Sequence, residues 1–248
     1  MSEYTEVELP FLQQLAAQGW TVVNQGNHAI PQDPALSLRS SFREWLLPKV
    51  FDEAVRAINP APGGQAWLTP RQLEDLRNQI VRQPNRSLLE ANEAIQGLLF
   101  KAQVDVNEAT GEADPVVRLI DFHTPANNQF HAINQFRIDT PGGVRLCIIP
   151  DIVLFVNGIP LCVVECKKAS ETCANPMAEA FVQLQRYMDK RPATAQAGLK
   201  EGEPRLFHTN LLLVRSSGLE ADYGSISSGE EHFYAWKTLY PADDATAP

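Results

Sequence analysis

The chain has 248 residues, of which 44% are hydrophobic, and its formal net charge is −9. This length can bury the core of one large domain or of two small ones. The acidic balance excludes the global basic footprint of a free-standing nucleic-acid binder.

No run in the sequence approaches 18 consecutive apolar residues, and the start, M-S-E-Y-T-E-V-E, is acidic rather than a basic signal region. The sequence therefore predicts a soluble, cytoplasmic protein without a membrane span. The four cysteines have the spacing C-x14-C-x3-C-x6-C, which matches no common zinc pattern. A zinc site is the alternative to the buried, hydrophobic thiols that we expect.

Helices are predicted for most of the first hundred residues. A first helix, over about residues 5–18, stops at Gly19 and has an apolar stripe of Leu9, Leu12 and Leu15 or Ala16. Residues 35–58 form a second helical region, broken near Pro48.

Two capping boxes predict the next two helices. Thr69 and Gln72, with proline at the first helical position between them, open a helix that runs to about residue 82. Ser87 and Glu90 open another, to about residue 101, with a buried face of Leu89, Ile95, Leu98 and Leu99.

The second half of the chain changes to strand patterns. A helix with Asn175 as its cap follows the fourth predicted strand, and a strand or turn region leads to Trp236. The predicted strands cover residues 116–122, 129–138, 144–156, 159–167 and 210–214.

This series of strand, hairpin, helix and strand behind a helical segment indicates a mixed α/β fold. We expect residues 1–84 to be a helical N-terminal portion packed on the core. Residues 85–240 would form that core, and residues 241–248 a disordered tail or linker.

A predicted hairpin carries charged residues within apolar runs. The runs I-P-D-I-V-L-F-V and I-P-L-C-V-V-E-C-K flank Asn157-Gly158, which is a hairpin signal. Side chains alternate along a strand, so Glu165 and Lys167 share one face. Asp151 lies on the other run.

The length of the turn decides whether Asp151 joins them. A two-residue loop pairs residue 156 with 159, which leaves Asp151 on the face opposite Glu165. A three-residue loop, or a bulge with Gly158 in the left-handed region, shifts the parity and puts all three on one face. Pro160 cannot donate to the ladder and favours an irregular exit. If Asp151, Glu165 and Lys167 form one site, the hairpin must therefore differ from a simple two-residue hairpin.

Two carboxylates and an amine on one face suit phosphodiester chemistry. Paired carboxylates repel each other in a half-buried sheet, and Mg²⁺ resolves the repulsion because it prefers oxygen ligands. The ion lowers the pKa of a bound water, and an ammonium stabilises the developing anion. The alternative is structural, with Lys167 neutralising Glu165 and Asp151 capping a turn after Pro150.

P-D at 150–151 with E-C-K at 165–167 resembles the PD-(D/E)xK nuclease motif. Gln183 and Tyr187, one helical turn apart, resemble the QxxxY motif of its RecB-like branch. Longer stretches, among them D-F-H-T-P-A-N-N-Q-F-H-A-I-N-Q-F and N-L-L-L-V-R-S-S-G-L-E-A-D-Y-G, are similar to the N-terminal nuclease domain of the restriction (R) subunit of type I restriction–modification enzymes.

The resemblance implies a restriction-endonuclease-like mixed sheet flanked by helices, and it assigns roles to residues. Asp151 and Glu165 would bind Mg²⁺, with Mn²⁺ as a substitute and the carbonyl of Cys166 as a further ligand. Lys167 would activate or position the water. Gln183 and Tyr187 would support the active site or contact the DNA backbone. Glu8 and Glu93 are the candidates for an additional acidic residue of the site.

The family's R subunit is much longer because a motor follows the nuclease, and this chain lacks the ATP-binding pattern G-x-x-x-x-G-K-[ST]. ATP binding and the methyltransferase and specificity subunits therefore concern the full-length protein. Since those parts would hold most of the DNA, we expect only a local basic rim here, formed by Lys167, Lys168, Arg186, Lys190 and Arg191.

The leading hypothesis is a Mg²⁺-dependent endonuclease domain that cuts double-stranded DNA without sequence specificity of its own. The alternative is a catalytically silent nuclease-like module for DNA guiding or subunit docking. A small-molecule hydrolase or zinc protein is a third reading, but His123 and His131 stand in no metal-ligand spacing.

Overall fold

The computed structural model describes residues 2–27, 30–171 and 173–236. The predicted tail at 241–248 lies outside the described residues. A π-helical turn at Tyr4–Glu8 leads into the first α-helix, and 3-10 turns occupy Pro34–Ser37, Pro125–Asn127, Pro204–Phe207 and Glu230–His232. The α-helices of the described part are α1 (Leu9–Ala17), α2 (Pro48–Ile58), α3 (Pro70–Val81), α4 (Leu88–Lys101), α5 (Pro176–Tyr187) and α6 (Pro192–Gln196).

A mixed sheet of seven strands forms the centre of the fold. Its strands are β1 (Thr21–Val23), β6 (Phe130–Asn134), β9 (Ile152–Val156), β10 (Ile159–Cys166), β11 (Leu212–Ser216), β12 (Ala221–Gly224) and β13 (Tyr234–Ala235). They lie side by side in the order β1-β6-β9-β10-β11-β12-β13. The pairs β1–β6 and β10–β11 are parallel, and the other neighbours are antiparallel.

Three short antiparallel pairs lie outside this sheet. They are β2 (Ala102–Gln103) with β5 (Val116–Val117), β3 (Val106–Asn107) with β4 (Glu112–Ala113), and β7 (Ile138–Asp139) with β8 (Cys147–Ile148). The mixed α/β architecture predicted from the sequence is confirmed.

The helix caps read from the sequence are confirmed. Thr69 and Gln72 form the capping box of α3, and Ser87 and Glu90 form that of α4. The side chain of Asn175 accepts a hydrogen bond from the amide of Ala178 at the start of α5. Each cap satisfies amides that the helix itself leaves unpaired.

Other local predictions are wrong. In the region 35–58 only α2 is an α-helix, because Leu38 turns the chain at φ 61° and Pro48 begins α2 rather than interrupting a helix. The strand predicted at 116–122 shrinks to β5, and β1 is an additional strand. Leu89 is exposed on α4, whose inward face is formed by Ala91, Ile95 and Leu99.

Apolar side chains cover the sheet on both faces. Val163 of β10 belongs to the larger cluster, which includes α2, α3, α4 and α5 residues. Val164 belongs to a smaller cluster under α1, with Leu12 and Leu15. Side chains alternate between the faces of a sheet, so Glu165, two residues after Val163, lies on the face that carries the larger cluster. It stands near the end of β10.

The helices of the described residues are too short to span a bilayer, the longest being α4 with 14 residues.

Candidate active site

The turn between β9 and β10 is a two-residue loop, but its exit is bulged. Val156 pairs with Ile159 across Asn157 and Gly158. The register then shifts between Pro160 and Cys162, so that Cys162 faces Leu154 and Val164 faces Ile152. The predicted parity shift is confirmed, although the bulge follows the turn instead of lying at Gly158. Continuing the ladder by one residue sets Asp151 opposite Glu165.

The Asn-Gly pair also anchors the hairpin to α2. Both residues have left-handed backbones, with φ 52° at Asn157 and 75° at Gly158. The Gly158 carbonyl accepts a hydrogen bond from the amide of Leu47 at 2.9 Å. A Cβ on Gly158 would come within 2.6 Å of the Leu47 carbonyl oxygen, so only glycine fits.

Asp151, Glu165 and Lys167 converge at the end of these strands. The Nζ atom of Lys167 lies 2.8 Å from Glu165 Oε1 and 3.5 Å from Asp151 Oδ2. It also donates to the carbonyl of Cys166 at 2.8 Å. The Cys166 amide in turn donates to Asp151 Oδ2 at 2.8 Å. The three predicted side chains and the predicted carbonyl therefore form one cluster.

Burial makes this cluster electrostatically unusual. Glu165 is 1% exposed and Asp151 is 8% exposed. Desolvation and the repulsion of Asp151 raise the pKa of Glu165 to about 8, and desolvation also raises the pKa of Asp151. Burial alone would lower the pKa of Lys167, but the two carboxylates outweigh it and raise that pKa.

The donor set fits a divalent cation. Glu165 Oε2 is buried and has no hydrogen-bond partner among the described residues, which leaves a carboxylate oxygen to be satisfied. Two carboxylates and a main-chain carbonyl are the hard ligands that Mg²⁺ and Mn²⁺ accept. No group of three His, Cys, Asp or Glu side chains suited to a metal occurs in the described part of the chain.

The two candidate extra acids lie in different places. Glu8 is buried and accepts hydrogen bonds from Asn134 at 2.6 Å and Gln135 at 3.1 Å. Desolvation, with a contribution from the charge of Asp151, raises the pKa of Glu8 to about 7. Glu93 is exposed on α4, which packs against α3, β2 and the turn Pro204–Phe207 rather than against the site.

A further acid, Glu3, was not predicted. Its Oε1 lies 3.6 Å from Lys167 Nζ, and its Oε2 accepts from the amide of Lys168 at 3.0 Å. Lys167 and Lys168 follow Glu3 by 164 and 165 positions in the sequence. No local pattern could therefore have revealed the contact.

Gln183 and Tyr187 form a chain of hydrogen bonds from α5 to the segment that precedes Asp151. The Tyr187 hydroxyl donates to the carbonyl of Ile149 at 3.0 Å, two residues before Asp151. Gln183 Nε2 donates to the same hydroxyl at 3.0 Å. Tyr187 is almost fully buried, and desolvation together with the charges of Glu165 and Asp151 raises its pKa.

Three of the five cations of the predicted basic rim pair with acids of the chain, Arg186 is buried, and Lys190 is exposed with a neutral carbonyl as its partner, so the rim stays a prediction. Lys167 contacts the acids above, and Lys168 Nζ lies 2.7 Å from Glu6. Arg186 is buried and donates to Gln183. Lys190 donates to the Ile226 carbonyl, and Arg191 forms a two-pronged pair with Glu201.

A mixed sheet between helices, with two acids and a lysine at the ends of adjacent strands, defines an α/β fold of the nuclease-like class. Residues 1–232 match the family model "Type I restriction enzyme R protein N terminus", and the chain belongs to this family.

Two relatives from distant organisms are similar along almost the whole chain. The "Type I restriction enzyme HindI endonuclease subunit" of Haemophilus influenzae is 28% identical over 96% of this chain. The "Putative type I restriction enzyme MjaIXP endonuclease subunit" of Methanocaldococcus jannaschii is 25% identical over 98% of it. The chain spans only 21% of the length of each relative.

Proposed function

We propose that the chain is the metal-dependent endonuclease domain of a type I restriction enzyme R subunit, and that it hydrolyses phosphodiester bonds of double-stranded DNA. The observation that carries this proposal is the convergence of Asp151, Glu165 and Lys167 around an unsatisfied carboxylate oxygen. Burying two acids together is costly, and a divalent cation would offset that cost.

The residues that would hold Mg²⁺ are Asp151, Glu165 through Oε2, and Cys166 through its carbonyl. When bound, the ion would lower the pKa of a water molecule and neutralise charge that develops on the phosphate. Lys167 would orient the attacking water and stabilise the transition-state anion through Nζ, which the two carboxylates keep protonated.

Residues around the cluster would position these groups. Tyr187 would fix the strand that carries Asp151 through the Ile149 carbonyl, and Gln183 would hold the tyrosine hydroxyl or contact the DNA backbone. Glu8 is the better candidate for an additional acid because it is buried near Asp151, whereas Glu93 lies on another face.

The other activities of a type I restriction enzyme would reside outside this domain, in the remaining length of the R subunit and in its partner subunits. We infer that this domain cuts without sequence specificity of its own, in the cytoplasm, with methyltransferase and specificity subunits reached through the full-length R subunit. ATP-driven translocation is not assigned to these residues. Residues 1–84 would be the helical N-terminal portion, with the nuclease core over 85–240.

The alternative is a catalytically silent module for DNA guiding or subunit docking. The pairing of Lys167, Lys168 and Arg191 with acids favours it, because these three cations are then neutralised beside the cluster. A silent module, however, gains nothing from two buried carboxylates and an unpaired oxygen. Metal binding therefore separates the two functions.

Plasmid nicking in Mg²⁺ or Mn²⁺ tests catalysis, with Ca²⁺ as the ion control and thermal unfolding of every variant as the folding control. We expect nicking by the wild-type chain and its loss in Lys167→Ala. Calorimetry with Mn²⁺ then tests the ligands, and we expect Asp151→Ala to abolish binding. A folded wild-type chain that binds no Mn²⁺ would support the silent module.

A further inference from the structure

Two neighbouring segments, residues 141–146 and 192–200, form a largely exposed surface without acidic residues, in a chain whose net charge is −9. We call it the tip surface. Its cations are Arg145 and Lys200, both exposed. Neither has an ion-pair partner among the described residues.

The tip surface is held in shape by main-chain and hydroxyl hydrogen bonds. The Val144 amide donates to the Lys200 carbonyl at 2.8 Å, which joins the two segments. The Thr140 amide donates to the Leu146 carbonyl at 2.9 Å, and the Thr140 hydroxyl donates to the Arg145 carbonyl. Because the backbone is fixed, a ligand would meet a preformed surface.

Two nearby acids are neutralised by cations. Asp139 pairs with Arg137 at 2.9 Å, and Glu201 is buried against Arg191. A third acid, Asp189, accepts hydrogen bonds from the amides of Glu201 and Gly202, next to Lys200. No ion pair joins these acids to Arg145 or Lys200 among the described residues.

Both segments are joined to the candidate active site by short lengths of chain. The first leads through β8 to Pro150 and Asp151, and the second follows α5, whose Tyr187 is bonded to Ile149. Asp151 is six positions after Arg145, so their Cα atoms are at most about 20 Å apart. That distance corresponds to roughly six phosphates along one DNA strand.

The tip surface also exposes apolar side chains next to its cations. Leu146 is 88% exposed and Val144 is 59% exposed, on either side of Arg145. Arginine flanked by projecting apolar side chains is the combination with which many proteins enter the minor groove of DNA.

We propose that the tip surface binds the backbone of duplex DNA beside the scissile phosphate, with Arg145 and Lys200 contacting phosphates and Leu146 facing the minor groove. This inference rests on the proposed nuclease function. Among the cations around the cluster, Lys167, Lys168 and Arg191 are paired with acids, whereas Arg145 and Lys200 are exposed and have no ion-pair partner among the described residues.

The test is binding of a fluorescent DNA duplex to the full chain in Ca²⁺, over a series of salt concentrations. We expect R145E/K200E to weaken binding by roughly tenfold or more, and to reduce the slope of log affinity against log salt by about 2, since each phosphate contact contributes about 0.9. The neutral variant R145Q/K200Q should lose less affinity.

The matched control is R43E/K101E, which reverses two exposed charges that, like those of Arg145 and Lys200, have no ion-pair partner among the described residues. It should bind nearly as the wild-type chain does. Thermal unfolding of all variants verifies the fold.

Unchanged affinity and salt slope in R145E/K200E would overturn the inference, and so would a wild-type chain that does not hold DNA at low salt. In the first case an exposed apolar and basic surface would point to a protein partner. Mn²⁺ binding is measured separately on the same variants. If R145E/K200E binds Mn²⁺ and DNA normally, only this inference fails, whereas loss of metal binding in the wild-type chain would remove the proposed function.

Discussion

Asp151 and Cys166 are joined by a 2.8 Å hydrogen bond from the amide of Cys166 to Asp151 Oδ2. This bond sets the carboxylate of Asp151 beside the main-chain carbonyl and next to the side chains of Glu165 and Lys167. It exists because the bulge after Pro160 changes the pairing of β9 and β10 by one residue. The geometry of the cluster is thus a property of the backbone, and the predictions below test it.

The raised pKa of Glu165 predicts a pH-dependent stability of the metal-free protein. Folded Glu165 keeps its proton up to about pH 8, whereas a carboxyl with the ordinary pKa of 4.5 has lost it. The folded state binds more protons between these values, so the free energy of unfolding should fall as pH rises through this window. Urea unfolding in a chelator, at several pH values, measures the slope.

Glu165→Gln should reduce that slope and leave the part that comes from the raised pKa values of Glu8 and Asp151, and the exposed Glu93→Gln should leave it as in the wild-type chain. Equal slopes in wild type and Glu165→Gln would contradict the burial of an ionisable carboxyl at this position.

Glu8 is expected to support metal binding, and Glu93 is not. Glu8→Gln removes a charge near Asp151, so Mn²⁺ affinity should fall by about tenfold, as for other groups around metal ligands. Glu93→Gln is the matched control, and its affinity should equal that of the wild-type chain. Titration calorimetry compares the three proteins, and equal affinities for Glu8→Gln and the wild type would exclude Glu8 from the site.

Tyr187→Phe tests the support from α5. The substitution removes the hydrogen bonds to Ile149 and from Gln183, so the free energy of unfolding should drop by about 1–2 kcal/mol. Tyr234→Phe, at a side chain that is 65% exposed, should change it by less than about 0.5 kcal/mol. Urea denaturation of both variants makes the comparison, and similar losses would show that the buried hydroxyl contributes nothing.

Gly158→Ala should be far more costly than Gly111→Ala, although both glycines have φ 75°. At Gly111 a Cβ meets nothing within 4 Å, so only the backbone strain of about 1–2 kcal/mol applies. At Gly158 the Cβ would also clash with the main chain of Leu47 and Phe51, and we expect a loss of about 3 kcal/mol or more. Comparable unfolding midpoints for the two variants would show that the contact with α2 is not close.

The sequence was informative where the signal is local. Capping boxes are complete within four residues, which is why α3 and α4 were predicted at their first turns. The irregular hairpin was predicted because Asp151 and Glu165 had to share a face, and strand parity allows only a few solutions.

Long-range contacts were beyond the sequence patterns. Strand β1 has three residues, and its pairing with β6 depends on partners from His131 to Ile133. Some cations predicted as a rim have acidic partners that spacing does not reveal, such as Glu6 for Lys168 and Glu201 for Arg191. Charge density in a sequence therefore overestimated the cations that this surface leaves for DNA.

The bulge after Pro160 imposes an even–odd rule on the length of the hairpin. Losing or gaining one residue between Asp151 and Glu165 would turn one acid away from the other, while changes of two residues would keep them together. Length variation among relatives should therefore come in pairs within this stretch, or else a single change should be accompanied by loss of the bulge. A comparison of hairpin lengths across the family can thus separate members that keep a joint acid pair from members that have abandoned it.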